Sequence, residues 1–380
     1  MLKRRSVPAQ TCGDRERVVV AMSGGVDSSV AAALLVEQGY NVTGLMLHLW
    51  SEPGPGVDNR CCTPEAVEDA RRVARTLGIP FHLLNCARRF RDHVVDYFIQ
   101  EYARGRTPNP CLACNRHIKF GYLLDTALSL DVDYLATGHY ARVRQADGRY
   151  QLLRGTDSDK DQSYVLYMLG QRHLRHTLFP LGTYNKPRVR ALAEKFGLPV
   201  ADKQESQDVC FVRDQDYRRF LRTYAPEAVR AGPILDTAGQ MIGQHQGLPL
   251  YTIGQRRGLG IAAPRGTAQP EPLYVLAIDP ARNALIVGPA SQLGRQSLVV
   301  TDLSFVAGHS PPLPVSVTTK IRYTGNEVRA TLHAGDEGSL HVALDEPLRD
   351  IAPGQGAVFY QGEIVLGGGI ITNDRMEAIQ

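Results

Sequence analysis

The chain is 380 residues long, 43% apolar and 22% charged, with a formal net charge of only +4. That length predicts two or three domains, and that composition an ordinary globular protein, not a disordered or fibrous one. No apolar run approaches the ~20 residues of a membrane span, and so small a net charge does not by itself announce a nucleic-acid binder. Residues 1–17 are polar and basic without an apolar core, so they read as a leader ahead of the first strand and not as a secretory signal. The expectation is a cytoplasmic protein with no membrane partner. Its seven cysteines are an odd number and read as reduced thiols, reactive, metal-binding or buried, not as a disulfide framework.

Residues 18–22 are apolar, β-branched and short, which predicts a buried parallel strand. Ser23-Gly24-Gly25-Val26-Asp27-Ser28-Ser29 follows. Residues 28–38 then carry apolar side chains at helical spacing, with Gly39 placed to end the helix. A strand, a tight glycine turn and a helix leave backbone N–H groups pointing at a helix N-terminus, a ready anion site. Gly24 and Gly25 let phosphate oxygens approach without a Cβ in the way, and the serine hydroxyls add donors. The loop is not a Walker A motif, since no Gly-Lys-Ser/Thr follows, and it is not G-x-G-x-x-G. The bland alternative is an ordinary glycine turn.

Residues 40–50 read as a second strand and 51–60 as a loop that ends at Cys61-Cys62. Thr63 is a good N-cap with Pro64 at the first helical position, for a helix over 65–77 stopped by Gly78. Residues 81–85 give a third strand. This β-α-β-α-β alternation predicts a doubly wound parallel sheet, in which ligands bind beyond the carboxyl ends of the strands, where the Ser23–Ser28 loop lies.

From Arg88 to Lys119 seven basic residues face three acidic ones, a patch equally readable as a solvated helix face. Within it, Pro108 and Pro110 predict a stretch without helix that stiffens the approach to Cys111 and Cys114. A helix is expected over 117–130 and a short buried strand over 134–139, whose Gly138 would face the nucleotide crevice. A hairpin turn is expected at 145–148, a helix from Lys160 to Leu169, and another over 186–196 stopped by Gly197. Beyond about residue 225 the helical periodicity gives way to short β-like runs at 233–243, 251–260, 273–278 and 284–287. A second β-rich unit starts near 297, with strands at 315–323, 328–333, 339–344 and 356–362. The expected fold is thus an α/β doubly wound parallel sheet followed by two smaller β-rich, barrel-like domains. Its expected boundaries are 1–225, 226–296 and 297–380.

Ser-Gly-Gly-x-Asp-Ser resembles the pyrophosphate loop of N-type ATP pyrophosphatases, which cleave ATP between the α and β phosphates. Other motifs follow in order: Thr107-Pro-Asn-Pro-Cys-x-x-Cys-Asn115, Ala136-Thr-Gly-His-Tyr140, Lys160-Asp-Gln-Ser-Tyr164 and Asp208-Val-Cys-Phe211. Tyr251-Thr-Ile-Gly-Gln-Arg-Arg-Gly-Leu-Gly260, Lys320-Ile-Arg-Tyr323 and Gly367-Gly-Gly-Ile370 complete the series. Together they resemble the bacterial tRNA-specific 2-thiouridylases of the MnmA/TrmU family, over nearly the whole chain from about Val18.

The resemblance implies ATP with Mg²⁺, a tRNA with a wobble uridine, and a sulfur-carrier protein or cysteine desulfurase relay as persulfide donor. It carries the ATP contacts onto Ala21, Met22, Ser23, Gly24, Gly25, Val26, Asp27, Ser28, Leu47 and Gly138. It makes Cys114 the nucleophile and Cys210 the persulfide carrier, with Arg116 and Lys119 as basic neighbours favouring thiolates. It places tRNA contacts at Asn109, Pro110 and Cys111 near the target base, at Lys160, Asp161 and Gln162, and at Arg322 and Tyr323.

Two positions depart from many relatives: Leu47 stands where they carry Met, and Cys111 where they carry Asp. The second removes a carboxylate and creates a trio, Cys111, Cys114 and Cys210, that can hold an iron–sulfur cluster as an alternative sulfur route. A structural zinc site on Cys111 and Cys114 lacks its second pair, and Cys12 and Cys86 suggest no role. Two further readings compete. One is a ligase or amidotransferase of the same superfamily, such as argininosuccinate or GMP synthetase; the other is a non-catalytic RNA-binding protein that retains nucleotide affinity.

Overall fold

A computed structural model describes residues 15–52, 63–203, 209–261 and 271–372. Cys12 and most of the N-terminal leader, Cys61, Cys62 and residues 204–208 lie outside the described residues. The chain forms two compact units. One is built from Met1–Arg89, Arg116–Ser163 and Gln171–Phe211, the other from Phe90–Asn115, Tyr164–Gly170 and Val212–Gln380.

The first unit is built on a parallel sheet of β1 (Arg17–Ala21), β2 (Asn41–His48), β3 (Phe81–Asn85), β4 (Tyr134–Ala136) and, at the edge, Thr177–Leu178. An antiparallel hairpin, β5 (Ala141–Ala146) and β6 (Arg149–Arg154), intervenes in the chain before that fifth strand, here β7. The sheet order is β3-β2-β1-β4-β7, every neighbour parallel. The chain therefore moves outward from β1 in one direction and returns to its other side at β4. The point where the order reverses lies between β1 and β4, and the loop that leaves β1 opens there.

Helix α1 (Val26–Glu37) is buried from Ser28 to Leu35 on every side, as expected of a helix that is apolar all round. It packs against β2, α2 (Pro64–Leu77) and the helix Lys186–Lys195. The caps follow the sequence. Thr63 accepts the Ala66 N–H at 2.9 Å with Pro64 following, Gly39 and Gly78 take φ of +89° and +66°, and the β5–β6 turn uses positive φ at Asp147 and Gly148.

The stretch after β3, readable as a basic patch or a solvated helix face, is helical through Ala87–Phe90, Arg91–Val95 and Asp96–Ala103, with a π-helical turn in the middle. Three local expectations are corrected. The prolines do not bar helix before residue 117: it begins at Pro110, because proline at the first helical position has no N–H to leave unpaired and Asn109 caps the turn. It continues through Cys114–Leu123, in π-helical geometry, and Leu124–Ser129. The helix expected to run to Leu169 is a single 3₁₀ turn, Ser163–Leu166. Asp161 folds the chain back ahead of it by accepting from the N–H groups of Gly155 and Ser163. Residues 251–260 form turns, not a strand, with Gly254, Gly258 and Gly260 all at positive φ.

The second unit holds helix Tyr217–Tyr224, capped by Asp216, which no sequence signal singled out. It also holds β8 (Gly232–Leu235), β9 (Met241–His245), β10 (Leu273–Asp279) and β11 (Ala284–Pro289), in a sheet ordered β10-β11-β8-β9. Six further strands are β12 (Arg295–Phe305), β13 (Val315–Lys320), β14 (Glu327–Ala334), β15 (Leu340–Leu348), β16 (Gly356–Gln361) and β17 (Ile364–Thr372). They pair in the order β12-β15-β14-β13-β16-β17, and β12 pairs with β17, which closes a barrel. Val317, Leu332, Val342, Phe359 and Ile371 help fill it. Among the described residues no helix is long and apolar enough to cross a membrane.

Candidate active site

The loop after β1 is drawn tight by its own serines. The Ser23 N–H donates to Ser28 Oγ at 3.1 Å, the two hydroxyls lie 3.2 Å apart, and Ser28 and Ser29 donate to the Gly25 carbonyl. Gly24 has φ +70°, and a Cβ there would sit 2.3 Å from the Ala66 carbonyl oxygen of α2. Only glycine lets the loop lie so close to that helix. Gly25 caps α1 with no side chain, which leaves the first amides of the helix to another acceptor. Gly138 abuts the same place, since a Cβ on it would stand 2.8 Å from the Ser28 nitrogen. Leu47, half-buried, lies two residues beyond the Ala21–Leu45 pair, at the carboxyl end of β2. Ala21 ends β1, and buried Met22 donates its N–H to the Leu45 carbonyl, while Val26 seats the start of α1 in the core. All ten residues expected at ATP therefore gather at the ends of β1, β2 and β4 and the start of α1.

Two lysines that sequence reasoning missed complete this loop. Lys186 Nζ donates to both oxygens of Asp27, at 2.8 and 2.9 Å, and the Tyr140 hydroxyl donates to Oδ1 at 2.8 Å. Lys186 opens the helix packed beside α1, capped by Asn185, and its own N–H goes to Asp157. Lys203 Nζ donates to the Gly24 carbonyl at 3.0 Å and to Asp69 at 2.7 Å. Burial pulls the Asp69 carboxyl up, but hydrogen bonds and charge from Lys203 and Arg72 outweigh it and hold the group below the usual carboxylate range. The only sequence signal for Lys186 was its place at a helix start.

The loop after β4 is pinned from within. Burial, with the Lys119 charge adding to it, pushes the His139 imidazole well below its ordinary range, and its Nδ1 lies 2.7 Å from Thr137 Oγ1. Tyr140 and Gln162 exchange two hydrogen bonds. Asp161 is buried, with its carboxylate held by Gly155, Ser163 and Arg154, so it shapes this loop, while Lys160 beside it is half-exposed. Cys210 is half-exposed in a turn, next to fully buried Phe211.

In the second unit, Asn109 Oδ1 accepts the Cys111 N–H at 3.0 Å and Pro110 starts the helix. Cys111 is exposed and Cys114 half-exposed, whereas Leu112, Ala113 and Asn115 are buried, the Asn115 amide donating to the Val165 carbonyl at 2.7 Å. The cysteines thus share the outward face of one turn. The segment leading to them is held by Thr107, whose N–H reaches the Pro353 carbonyl and whose carbonyl accepts from Gln355. Tyr164, a phenol pushed upward by burial and by Tyr167 and Tyr360 nearby, donates to the Gly356 carbonyl. Arg322 pairs with Asp350 at 2.7 Å, and the Lys320 ammonium lies 5.9 Å from the centre of the Tyr323 ring. Among the described residues no group of three or more His, Cys, Asp or Glu is placed to hold a metal ion.

Three family models match the chain: a tRNA methyl transferase HUP domain over residues 16–214, a tRNA methyl transferase PRC-barrel domain over 218–289 and an aminomethyltransferase beta-barrel domain over 295–371. The chain is 53% identical over 356 residues to the tRNA-specific 2-thiouridylase MnmA of Chloroflexus aurantiacus, covering 93% of this chain and 98% of that one. It is 52% identical over 364 residues to the protein of that name from Symbiobacterium thermophilum, covering 94% and 92%. To that from Moorella thermoacetica it is 52% identical over 357 residues, covering 93% and 98%.

Proposed function

The chain belongs to the tRNA-specific 2-thiouridylase family, and from that premise we propose how its two units divide an ATP-dependent exchange of sulfur for oxygen at C2 of the tRNA wobble uridine. The observation that carries the reading is the Ser23–Ser28 loop, whose glycine has no room for a side chain and whose helix amides lack a capping group.

The C2 carbonyl of uridine is urea-like, and its oxygen leaves poorly. Attack of that oxygen on the α phosphate of ATP expels pyrophosphate and turns the oxygen into part of an AMP leaving group. The loop amides and the Ser23 hydroxyl would hold the departing phosphates, and the charge on them favours the reaction most where donors are already in place. Magnesium fits as a companion of those phosphates, neutralising their charge when bound. The loop's own carboxylate, Asp27, is engaged by Lys186 and Tyr140.

Sulfur then arrives as a persulfide on Cys210, from a sulfur-carrier protein or cysteine desulfurase relay. Its outer sulfur bonds to C2 and AMP leaves. The Cys114 thiolate next attacks Cys210 Sγ, the bond to the transferred sulfur breaks, and a Cys114–Cys210 disulfide remains for reduction. Asn109, Pro110 and Cys111 would line the target base, which a flexible anticodon loop can splay out. Lys160, Gln162, Arg322 and Tyr323 would meet the RNA, with Asp161 shaping the Lys160 loop from inside. The division into 1–225, 226–296 and 297–380 is supported by the shift from alternating helix and strand to strands joined by loops and short 3₁₀ turns.

The test supplies purified protein with tRNA, ATP and a persulfide donor, and measures 2-thiouridine, pyrophosphate and AMP by mass spectrometry and coupled assay. All three products are expected from iron-free protein. Cys114→Ser and Cys210→Ser should each lose 2-thiouridine. Pyrophosphate release without thiolation would favour a ligase, and tRNA binding without ATP turnover a binding protein. Thiolation that tracks iron content across preparations would replace the relay by the cluster.

A further inference from the structure

We propose that Cys111 is a second working thiol of this reaction, closing a disulfide with Cys114 within one helical turn and so resetting Cys210. The proposal rests on the thiolation reading above and adds a step to it. Its first support is spacing. Residues three apart share a helix face, and helical geometry puts their Cα atoms roughly 5 Å apart. That lies inside the roughly 4.4–6.8 Å that a disulfide spans.

The second support is orientation. Leu112 and Ala113, between the cysteines, are buried at 5% and 8% exposure, and Asn115 is anchored to the Val165 carbonyl. These anchors commit one side of the turn to the interior and leave Cys111 and Cys114 on the other. Cys86, by contrast, is 1% exposed and has the environment of a packing residue. The third support is stiffness. Pro110 fixes the backbone at the start of the turn and Asn109 caps it at the Cys111 N–H, so closing the ring orders little that is not ordered already.

The step balances without an outside oxidant. The Cys111 thiolate, its proton lost to solvent, attacks Cys114 Sγ of the Cys114–Cys210 disulfide. The Cys111–Cys114 bond forms, the Cys114–Cys210 bond breaks, and the electron pair leaves on Cys210 Sγ as a thiolate ready for the next persulfide sulfur. A dithiol reductant then supplies two electrons and two protons to reopen Cys111–Cys114, attacking at the exposed Cys111 sulfur.

The experiment runs one round with tRNA, ATP and a persulfide donor without reductant, quenches with an alkylating agent, and maps disulfides by peptide mass spectrometry. Wild-type protein should show Cys111–Cys114 linked and Cys210 alkylated, whereas Cys111→Ser should show Cys114–Cys210 linked. At limiting dithiol the multiple-turnover rate of Cys111→Ser should fall severalfold. Wild-type protein that has made 2-thiouridine yet carries only Cys114–Cys210 would overturn this step alone. Wild-type protein that makes no 2-thiouridine would take down the thiolation reading and this step with it.

Discussion

Lys186 Nζ lies 2.8 and 2.9 Å from the two carboxylate oxygens of Asp27, across 159 residues of sequence. The pair joins the pyrophosphate loop to the N-terminus of the helix that packs beside α1, with the Lys186 side chain only 10% exposed. An ammonium so enclosed depends on its carboxylate, so removing either member alone leaves a charge poorly solvated.

Asp27→Ala and Lys186→Met should each lower stability by about 1–3 kcal/mol, the range being reduced because Asp27 itself is 33% exposed. The double variant should lose less than the sum, by about 1 kcal/mol or more in urea melts. Pyrophosphate release should fall about 100-fold in Asp27→Ala. Strict additivity in the melts would show that the pair is not coupled.

Gly24→Ala should damage the loop far more than a comparable change elsewhere. Its Cβ would meet the Ala66 carbonyl oxygen at 2.3 Å, while Gly39, at a similar positive φ, has nothing within 4 Å. Gly39→Ala should cost about 1 kcal/mol from backbone strain alone. Gly24→Ala should cost about 2–3 kcal/mol and abolish ATP binding. Equal melting temperatures for the two variants would count against the tight α2 contact.

Below neutral pH, His139 should cost stability. Its folded pKa is lowered, first by burial and then by the Lys119 charge, so the native state refuses a proton that the unfolded chain accepts. Protons bound by the unfolded state alone make stability fall as pH drops below the unfolded value of about 6.5. Between pH 6.5 and 5 the wild-type slope should exceed that of His139→Gln, by up to about 1.4 kcal/mol per pH unit. Parallel curves for the two proteins would mean that His139 is protonated in the fold.

Lys160→Ala and Arg322→Ala should each weaken tRNA binding and reduce the slope of log affinity against log salt by about 1, since a phosphate contact releases counterions. Asp350→Asn should strengthen binding slightly by releasing Arg322 from its 2.7 Å partner. Filter binding at graded salt concentrations measures both effects. Unchanged slopes would place the RNA on another surface.

What was legible in the sequence was local. The strand before Ser23, the glycine turn, the helix after it and the caps at Thr63, Gly39 and Gly78 each depend on residues within one or two turns of chain. Backbone sterics and capping act at that range, so an anion-binding loop could be read from its own seven residues, and the resemblance alone assigned it to ATP. The pairing of Cys111 with Cys114 was also legible, because their spacing is a property of one segment, while Asn109 joined them only through the family resemblance.

Where local signals conflicted, the reading failed. Pro108 and Pro110 suggested a break, yet Pro110 starts a helix because an N-terminal proline gives up no bond. Residues 251–260 carried apolar side chains among glycines, and the positive φ of Gly254 turned the chain away from a strand. Tertiary structure alone decided that Lys186, Tyr140 and Lys203 meet at the loop. Nothing near them in sequence says so, since their approach depends on β4 returning beside β1 and on which helix packs against α1. Contacts of that kind are set by chain topology and burial, which act between residues far apart in the sequence.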